Sequence, residues 1–243
     1  MGEEHWLSRT ELLVGKGNIE KLKKAHVLVA GLGGVGGYAA EAICRAGVGE
    51  MTIVDNDRVT ASNRNRQLLA LTENEGKFKA DLLANRLLDI NPLLKLNSLK
   101  IYLKDDIARD VLAQPFDYVI DAIDTLSPKI YFIKHCLDRN LRVVSSMGSG
   151  GRMDPSQIRV GDISASFGCP FAQAVRKKLH VLGIHSGFTV IYSPEPVIKN
   201  SVLVTDDSPN KKSTVGTISY MPALFGLFAA SVVIRGLMGE RNE

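Results

Sequence analysis

The sequence predicts an α/β fold: a mostly parallel sheet with helices on both faces, extended toward the carboxy end by further strands and an apolar helix. Three observations carry this expectation. Apolar runs of strand length alternate with segments of helical periodicity up to about residue 150, the first run ends in a cluster of glycines, and the second ends in an acid. The chain has 243 residues, 45% of them hydrophobic and 23% charged, which suits one core of ordinary size. Residues 1–243 are therefore expected to form a single unit, with an amino-terminal arm (1–24), a core (25–150) and a carboxy-terminal extension (151–243).

The elements follow in order. "AHVLVA" (25–30) is a first strand, entering "GLGGVGG" (31–37); in "YAAEAICRAGV" (38–48) the apolar residues then fall at helical spacing. "MTIVD" (51–55) is a second strand, and "KFKADLLANRLLDINP" (77–92) an amphipathic helix stopped by Asn91 and Pro92. "LNSLKIYL" (96–103) and "FDYVIDAID" (116–124) are strands, the latter ending in acids. "PKIYFIKHCLDRN" (128–140) is a helix with Pro128 in its first turn, and "LRVVSSMGSGG" (141–151) a strand running into a glycine-rich turn.

Beyond residue 150 the pattern changes. "PSQIRVGDIS" (155–164) and "GFTVIYS" (187–193) read as strands flanking a helix, "PFAQAVRKKLHVLG" (170–183). Residues 193–217 hold prolines, serines, paired acids and Lys211–Lys212, and are expected to be a mobile loop. Residues 218–238 are nearly long enough to span a bilayer, yet contain Pro222, Gly226, Arg235 and many small residues. A buried core helix or a dimer-interface helix is expected there, and no membrane partner.

Bulk charge and cysteine usage bound the function. The net charge of +4 permits an anionic partner without the extreme of a dedicated nucleic-acid arm. Cys44, Cys136 and Cys169 are widely spaced and form no CxxC pair, which argues for a reducing compartment and against a disulfide frame or zinc clamp. The first residues are charged and lack a long apolar core, so no signal peptide is expected, and the cytoplasm is the expected location. His26, His135, His180 and His185 do not pair with acids or cysteines at metal-ligand spacing and read as structural.

Gly31, Gly33 and Gly36 fit G-x-G-x-x-G, with Gly34 added, between an apolar strand and a helix. Glycine is required where the backbone turns off the strand and meets a phosphate with no Cβ in the way; the amides opening the helix then face the anion. This predicts a Rossmann-like nucleotide site, with Asp55 at the end of the second strand placed to hydrogen-bond a ribose. The turn alone does not choose between a dinucleotide and ATP. The loop "DNDRVTASNRNRQ" (55–67) does: a hydride-transfer enzyme has no use for clustered guanidinium groups there, whereas arginines and Lys79 converging on a triphosphate would neutralise a leaving pyrophosphate. The plain alternative is a solvated polar loop.

Asp55-x-Asp57-x-Val59-x-x-Ser62-Asn63-x-x-Arg66-Gln67 behind the glycine turn, together with "DAID" (121–124), resembles the superfamily of ubiquitin-activating enzymes and their bacterial relatives MoeB and ThiF. These enzymes use ATP to adenylate a carboxylate. The resemblance implies that Asp124 holds magnesium on the ATP phosphates, that Asp55 binds the ribose, and that Asn63, Arg66 and Lys79 meet the phosphates. It also implies a homodimer in which Arg9 is supplied to the other subunit's ATP. "VIDAIDTLSPKIYFIKHC", "GSGGRMDPSQIRVGDIS", "CPFAQAVRKKL" and "GTISYMPALFGLFAASVVIRGL" resemble one branch, the tRNA threonylcarbamoyladenosine dehydratases, from about Arg9 to Leu237. The chain departs from the pattern at Thr125, where many members have asparagine, and at Cys169, where an acid precedes the proline.

That resemblance implies ATP and magnesium as cofactors, tRNA as partner, and cyclisation of a modified nucleoside next to the anticodon. Lys21, Lys23 and Lys24, then Arg176, Lys177 and Lys178, then Lys211 and Lys212 are clusters able to track an RNA backbone, each otherwise a solvated face. Three alternatives stay open: an adenylyltransferase for a ubiquitin-like sulfur carrier (which would bring a sulfur-transfer partner protein), a non-catalytic nucleotide-binding scaffold, and, furthest, an NAD oxidoreductase.

Overall fold

The computed structural model describes residues 5–204 and 213–239. Seven strands, β1 (His26–Ala30), β2 (Glu50–Val54), β3 (Lys95–Leu99), β4 (Tyr118–Asp121), β5 (Val143–Ser146), β6 (Arg159–Asp162) and β7 (Thr189–Tyr192), form one sheet. Their order is β3-β2-β1-β4-β5-β7-β6, and every pairing is parallel except the last, where β6 runs antiparallel along β7 at the edge.

The central strands are largely apolar because both of their faces are covered. Val27 and Val29 of β1 join one buried cluster and Leu28 and Ala30 the other. On the first face lie α3 (Gly36–Arg45), α4 (Lys79–Ile90) and α8 (Tyr220–Met238); on the second lie α5 (Asp105–Val111), α6 (Leu126–Asp138) and α7 (Pro170–Val181).

Three segments differ from the sequence expectation. Within the amino-terminal arm, two helices form, α1 (Ser8–Val14) and α2 (Lys16–Lys24); α2 buries Ile19 and Leu22, a stripe too narrow to stand out among its lysines. Helix α5 was not anticipated, since its short run "DDIARDV" is dominated by charge. The stretch expected as a loop at 193–217 contains two short antiparallel strands, β8 (Val202–Val204) and β9 (Ser213–Val215); residues 205–212, with Lys211 and Lys212, lie outside the described residues.

The apolar helix α8 is long and apolar enough to cross a membrane by composition, but it buries Met221, Phe225, Ala229, Ala230, Val232 and Val233. It lies directly across α3. A Cβ on Gly226 would overlap the carbonyl oxygen of Val35, so glycine is what allows the two backbones to approach. Pro222 falls in its first turn, where a missing N–H costs nothing. Phe225 is completely buried on this helix, and Phe225→Ala is expected to lower the unfolding free energy by about 3–5 kcal/mol, measured as a shifted denaturation midpoint at unchanged slope.

Candidate active site

The chain leaves β1 toward β2 and β3 on one side, then returns to place β4 on the other. The loops after β1, β2 and β4 therefore diverge, leaving a crevice at the carboxyl ends of these strands, the usual place for a ligand in such sheets.

The loop after β1 is the glycine turn. Gly31 has φ of +87°, and a Cβ there would lie 2.7 Å from the carbonyl oxygen of Ala122. A Cβ on Gly36 would overlap the carbonyl oxygen of Gly31, so the turn cannot close with any larger residue. Gly34 is confined by Pro222 of α8, 2.9 Å from its would-be Cβ, and by the backbone of Arg66. Gly33 is different, because its nearest neighbour is the flexible side chain of Gln67 at 3.6 Å. Fold closure demands glycine at 31 and 36, whereas at Gly33 the backbone is left open to a ligand.

Asp55, following β2, accepts hydrogen bonds from the backbone N–H of Leu32 and of Asp57, both at 2.7 Å, and so ties the glycine turn to its own loop. Burial pushes its carboxyl above the usual carboxylate range, against the opposing pull of Lys79 and of the two N–H groups. Lys79 opens α4, is buried, and pairs with Asp57 at 2.9 Å. This pair fixes the ammonium beside Asp55.

The three arginines of the loop do not converge. Arg66 lies against the glycine turn, donating to the Ser62 carbonyl and to Asn65. Arg58 turns away to stack on Phe78, 3.7 Å from the ring centre, and Arg64 bonds to Thr72. Asn63 is buried, and its side-chain amide oxygen accepts from the Thr60 N–H in a capping box. Gln67, beside Gly33, is a further candidate ligand group that the residue pattern alone left without a role.

Asp124 is exposed in the loop between β4 and α6. Among the described residues no three His, Cys, Asp or Glu side chains cluster as a metal cage. One carboxylate plus substrate phosphates is the donor set Mg²⁺ favours, so these residues fit that ion and not a cage-bound transition metal.

Beneath Asp124 is a feature unforeseen in the sequence. Asp121 and Lys129 are both 0% exposed and form an ion pair of 2.8 Å. Asp121 also accepts from Ser145 Oγ at 2.6 Å and from the Ile123 N–H at 3.1 Å, while Lys129 Nζ donates to the Ile123 carbonyl at 3.0 Å. Both backbone polar groups of Ile123 are thus held by one pair, and the residue that follows is Asp124. Within one chain Arg9 is remote from this crevice: it is exposed on α1, just after Leu7, which packs on Gly47 at the opposite end of the strands.

All three cysteines are buried. Burial raises the Cys44 thiol to about 11 and Cys136 well above the ordinary thiol range. Cys169 is the N-cap of α7, its sulfur accepting from the Ala172 N–H. None is placed as a nucleophile.

Two outcomes are expected. Gly36→Ala should fail to yield a folded, ATP-binding protein, whereas Gly33→Ala should keep its melting temperature and lose nucleotide affinity, as read by calorimetry. Lys129→Met should cost about 3–5 kcal/mol of stability by leaving Asp121 unpaired, and Lys129→Met combined with Asp121→Asn should cost less than the single change.

Comparison with known proteins agrees with this fold. The model of the ThiF family matches residues 7–243. The tRNA threonylcarbamoyladenosine dehydratase of Bacillus subtilis is 39% identical, over 97% of this chain and 96% of its own. That of Haemophilus influenzae is 32% identical, over 93% and 90%. The crystal structure of the Escherichia coli enzyme, TcdA, in complex with ATP superposes with a TM-score of 0.88 at 31% identity, covering 96% of this chain and 93% of that one. With a matching family model over nearly its whole length, and the crevice the fold builds at the ends of β1, β2 and β4, the chain belongs to the ThiF family.

Proposed function

We propose that this protein is an ATP-dependent tRNA threonylcarbamoyladenosine dehydratase, acting on the modified nucleoside beside the anticodon. The observation that carries the reading is that likeness to the dehydratases extends over 97% of the chain, through α7 and α8, and is not confined to the nucleotide-binding half.

The nucleoside carries a free carboxylate, a poor electrophile. Attack of a carboxylate oxygen on the α-phosphorus of ATP forms an acyl adenylate and releases pyrophosphate. The neighbouring carbamoyl group then attacks the activated carbonyl, the ring closes as its N–H proton is released, and AMP leaves with the oxygen that would otherwise be lost as water. Ring closure asks the protein for little beyond positioning, because the nucleophile is tethered. No thioester relay is needed, in keeping with three buried thiols.

Each residue has a role in this scheme. The amides of Gly31, Gly33, Gly34 and Gly36 receive phosphate oxygens, and Asp55 the ribose hydroxyls. Lys79, aimed by Asp57, and Arg66 neutralise the departing pyrophosphate, with Asn63 shaping the loop that presents Arg66. Asp124 holds Mg²⁺, which when bound offsets phosphate charge. A second copy of the chain supplies Arg9, so the working form is a homodimer of single adenylating units (residues 1–243), located in the cytoplasm.

The test is to incubate the protein with ATP, Mg²⁺ and tRNA carrying the uncyclised nucleoside, then digest and weigh the nucleosides. A product lighter by one water, dependent on ATP and absent with Asp124→Ala, is expected; Arg66→Ala should lower kcat/KM roughly 100-fold or more. An unchanged nucleoside, with pyrophosphate exchange that depends on a carrier protein, would assign the site to sulfur-carrier activation instead.

A further inference from the structure

We propose that the exposed face of α7, with Phe167 at its crevice end, is the surface on which the tRNA lies while its modified nucleoside occupies the site; this rests on the tRNA reading above. The first observation is a gap in the charge pattern. Between Asp162 and Glu195 the chain contains no acid, while Arg176, Lys177, Lys178, His180 and His185 fall within that stretch. Lys177 and Lys178 are exposed on α7 and have no hydrogen-bond or ion-pair partner among the described residues. The nearby acid on α6, Asp138, is already paired with Lys134. Two ammonium groups left to water on a helix that carries no acid of its own match a phosphate backbone.

The second observation is where this face leads. The first turn of α7 is at the crevice end of the sheet: Phe171 lies 3.3 Å from a would-be Cβ on Gly148, just after β5, and its ring is 6.0 Å from Lys129 Nζ. From Pro170 the helix runs down the flank, placing Lys177 and Lys178 about 10–12 Å along its axis. Just before it, Phe167 is 61% exposed. It is held rather than loose. Its ring meets Tyr192 edge-on at 6.0 Å, Gly168 turns behind it with φ of +67° against Pro194, and Arg176 donates to both the carbonyl and hydroxyl of Ser166. Tyr192 ends β7, two strand spacings, or about 10 Å, from β4 and its Asp124 loop. A fixed, exposed ring at that remove suits stacking by a splayed base of the same RNA loop, with the backbone continuing over the lysines.

Other basic surfaces match less well. On α2, Lys23 pairs with Glu20 and Lys21 donates to the Met238 carbonyl, and the helix lies at the amino ends of the strands. The strip of Arg58, Lys77 and Lys100 around Phe78 is interrupted by Glu73, Glu75 and Asp81, the last paired with Lys100.

The experiment measures tRNA affinity of the full-length protein against salt. Lys177→Ala with Lys178→Ala should weaken binding roughly tenfold at about 0.1 M salt and take about 1.4–1.8 from the log–log salt slope, with ATP affinity unchanged. Lys23→Ala with Lys24→Ala should change neither. Phe167→Trp, in a Trp6→Phe background, should show emission quenched by tRNA, and Phe167→Ala should raise KM for tRNA with little change in kcat, restored by Phe167→Tyr. If the wild-type protein cyclises tRNA while the double lysine variant keeps its affinity and slope, α7 is not the RNA surface and faces some other partner; the dehydratase reading survives. If the wild-type protein neither binds nor modifies tRNA, both fall.

Discussion

A carboxylate and an ammonium that have left water altogether, Asp121 and Lys129, stand at the carboxyl end of β4, and the crevice is assembled around them. Such a pair is costly to bury and is retained only when the remaining donors and acceptors are satisfied. Here they are shared among three elements: Asp121 from β4, Ser145 from β5 and Lys129 from α6, with Ile123 clasped at both its N–H and its carbonyl. The loop that carries Asp124 is therefore fixed from below. The glycine turn leans on the same loop, since Gly31 has room for no side chain against the Ala122 carbonyl. The Asp124 loop and the glycine turn share one foundation.

Asp55 performs the corresponding task on the other flank. One of its oxygens holds the N–H of Leu32 in the glycine turn and the other the N–H of Asp57, whose side chain in turn holds Lys79. A single carboxylate thus aligns the backbone of the glycine turn and the Lys79 ammonium, the two groups proposed to meet the phosphates. Its partial desolvation strengthens each of these bonds, because there is less water to compete.

Much of this architecture was legible in the residues. The central strands read as strands because both faces are buried, so they are apolar runs rich in Val and Ile with no strict alternation. Gly31 and Gly36 read as a phosphate turn because no other residue closes it. The arginine loop was only partly legible: Arg66 reaches the turn, while Arg58 and Arg64 satisfy local partners that no spacing rule reveals. Lys129 was invisible for a different reason. A lysine in an amphipathic helix reads as surface, and only the tertiary approach of Asp121 makes it core. Helix α2 was hidden by its lysine-rich composition, and the β8–β9 pair by the prolines and serines of the surrounding segment; beside that pair Gly151 donates to the Gly216 carbonyl and accepts from the Ile198 N–H.

The crossing of α8 over α3 has a consequence for how the chain comes to life. Pro222 confines Gly34 and Gly226 abuts Val35, so a helix at residues 220–238 braces a turn at residues 31–36. These contacts have very large sequence separation, which delays their formation relative to the local βα units. During synthesis the first strand and its helix emerge early, but their glycine turn remains unbraced until nearly all of the rest has followed. A nascent or truncated chain would hold the residues proposed to recognise ATP without the scaffold that orders them, and an ordered glycine turn arrives late, as one of the last acts of folding.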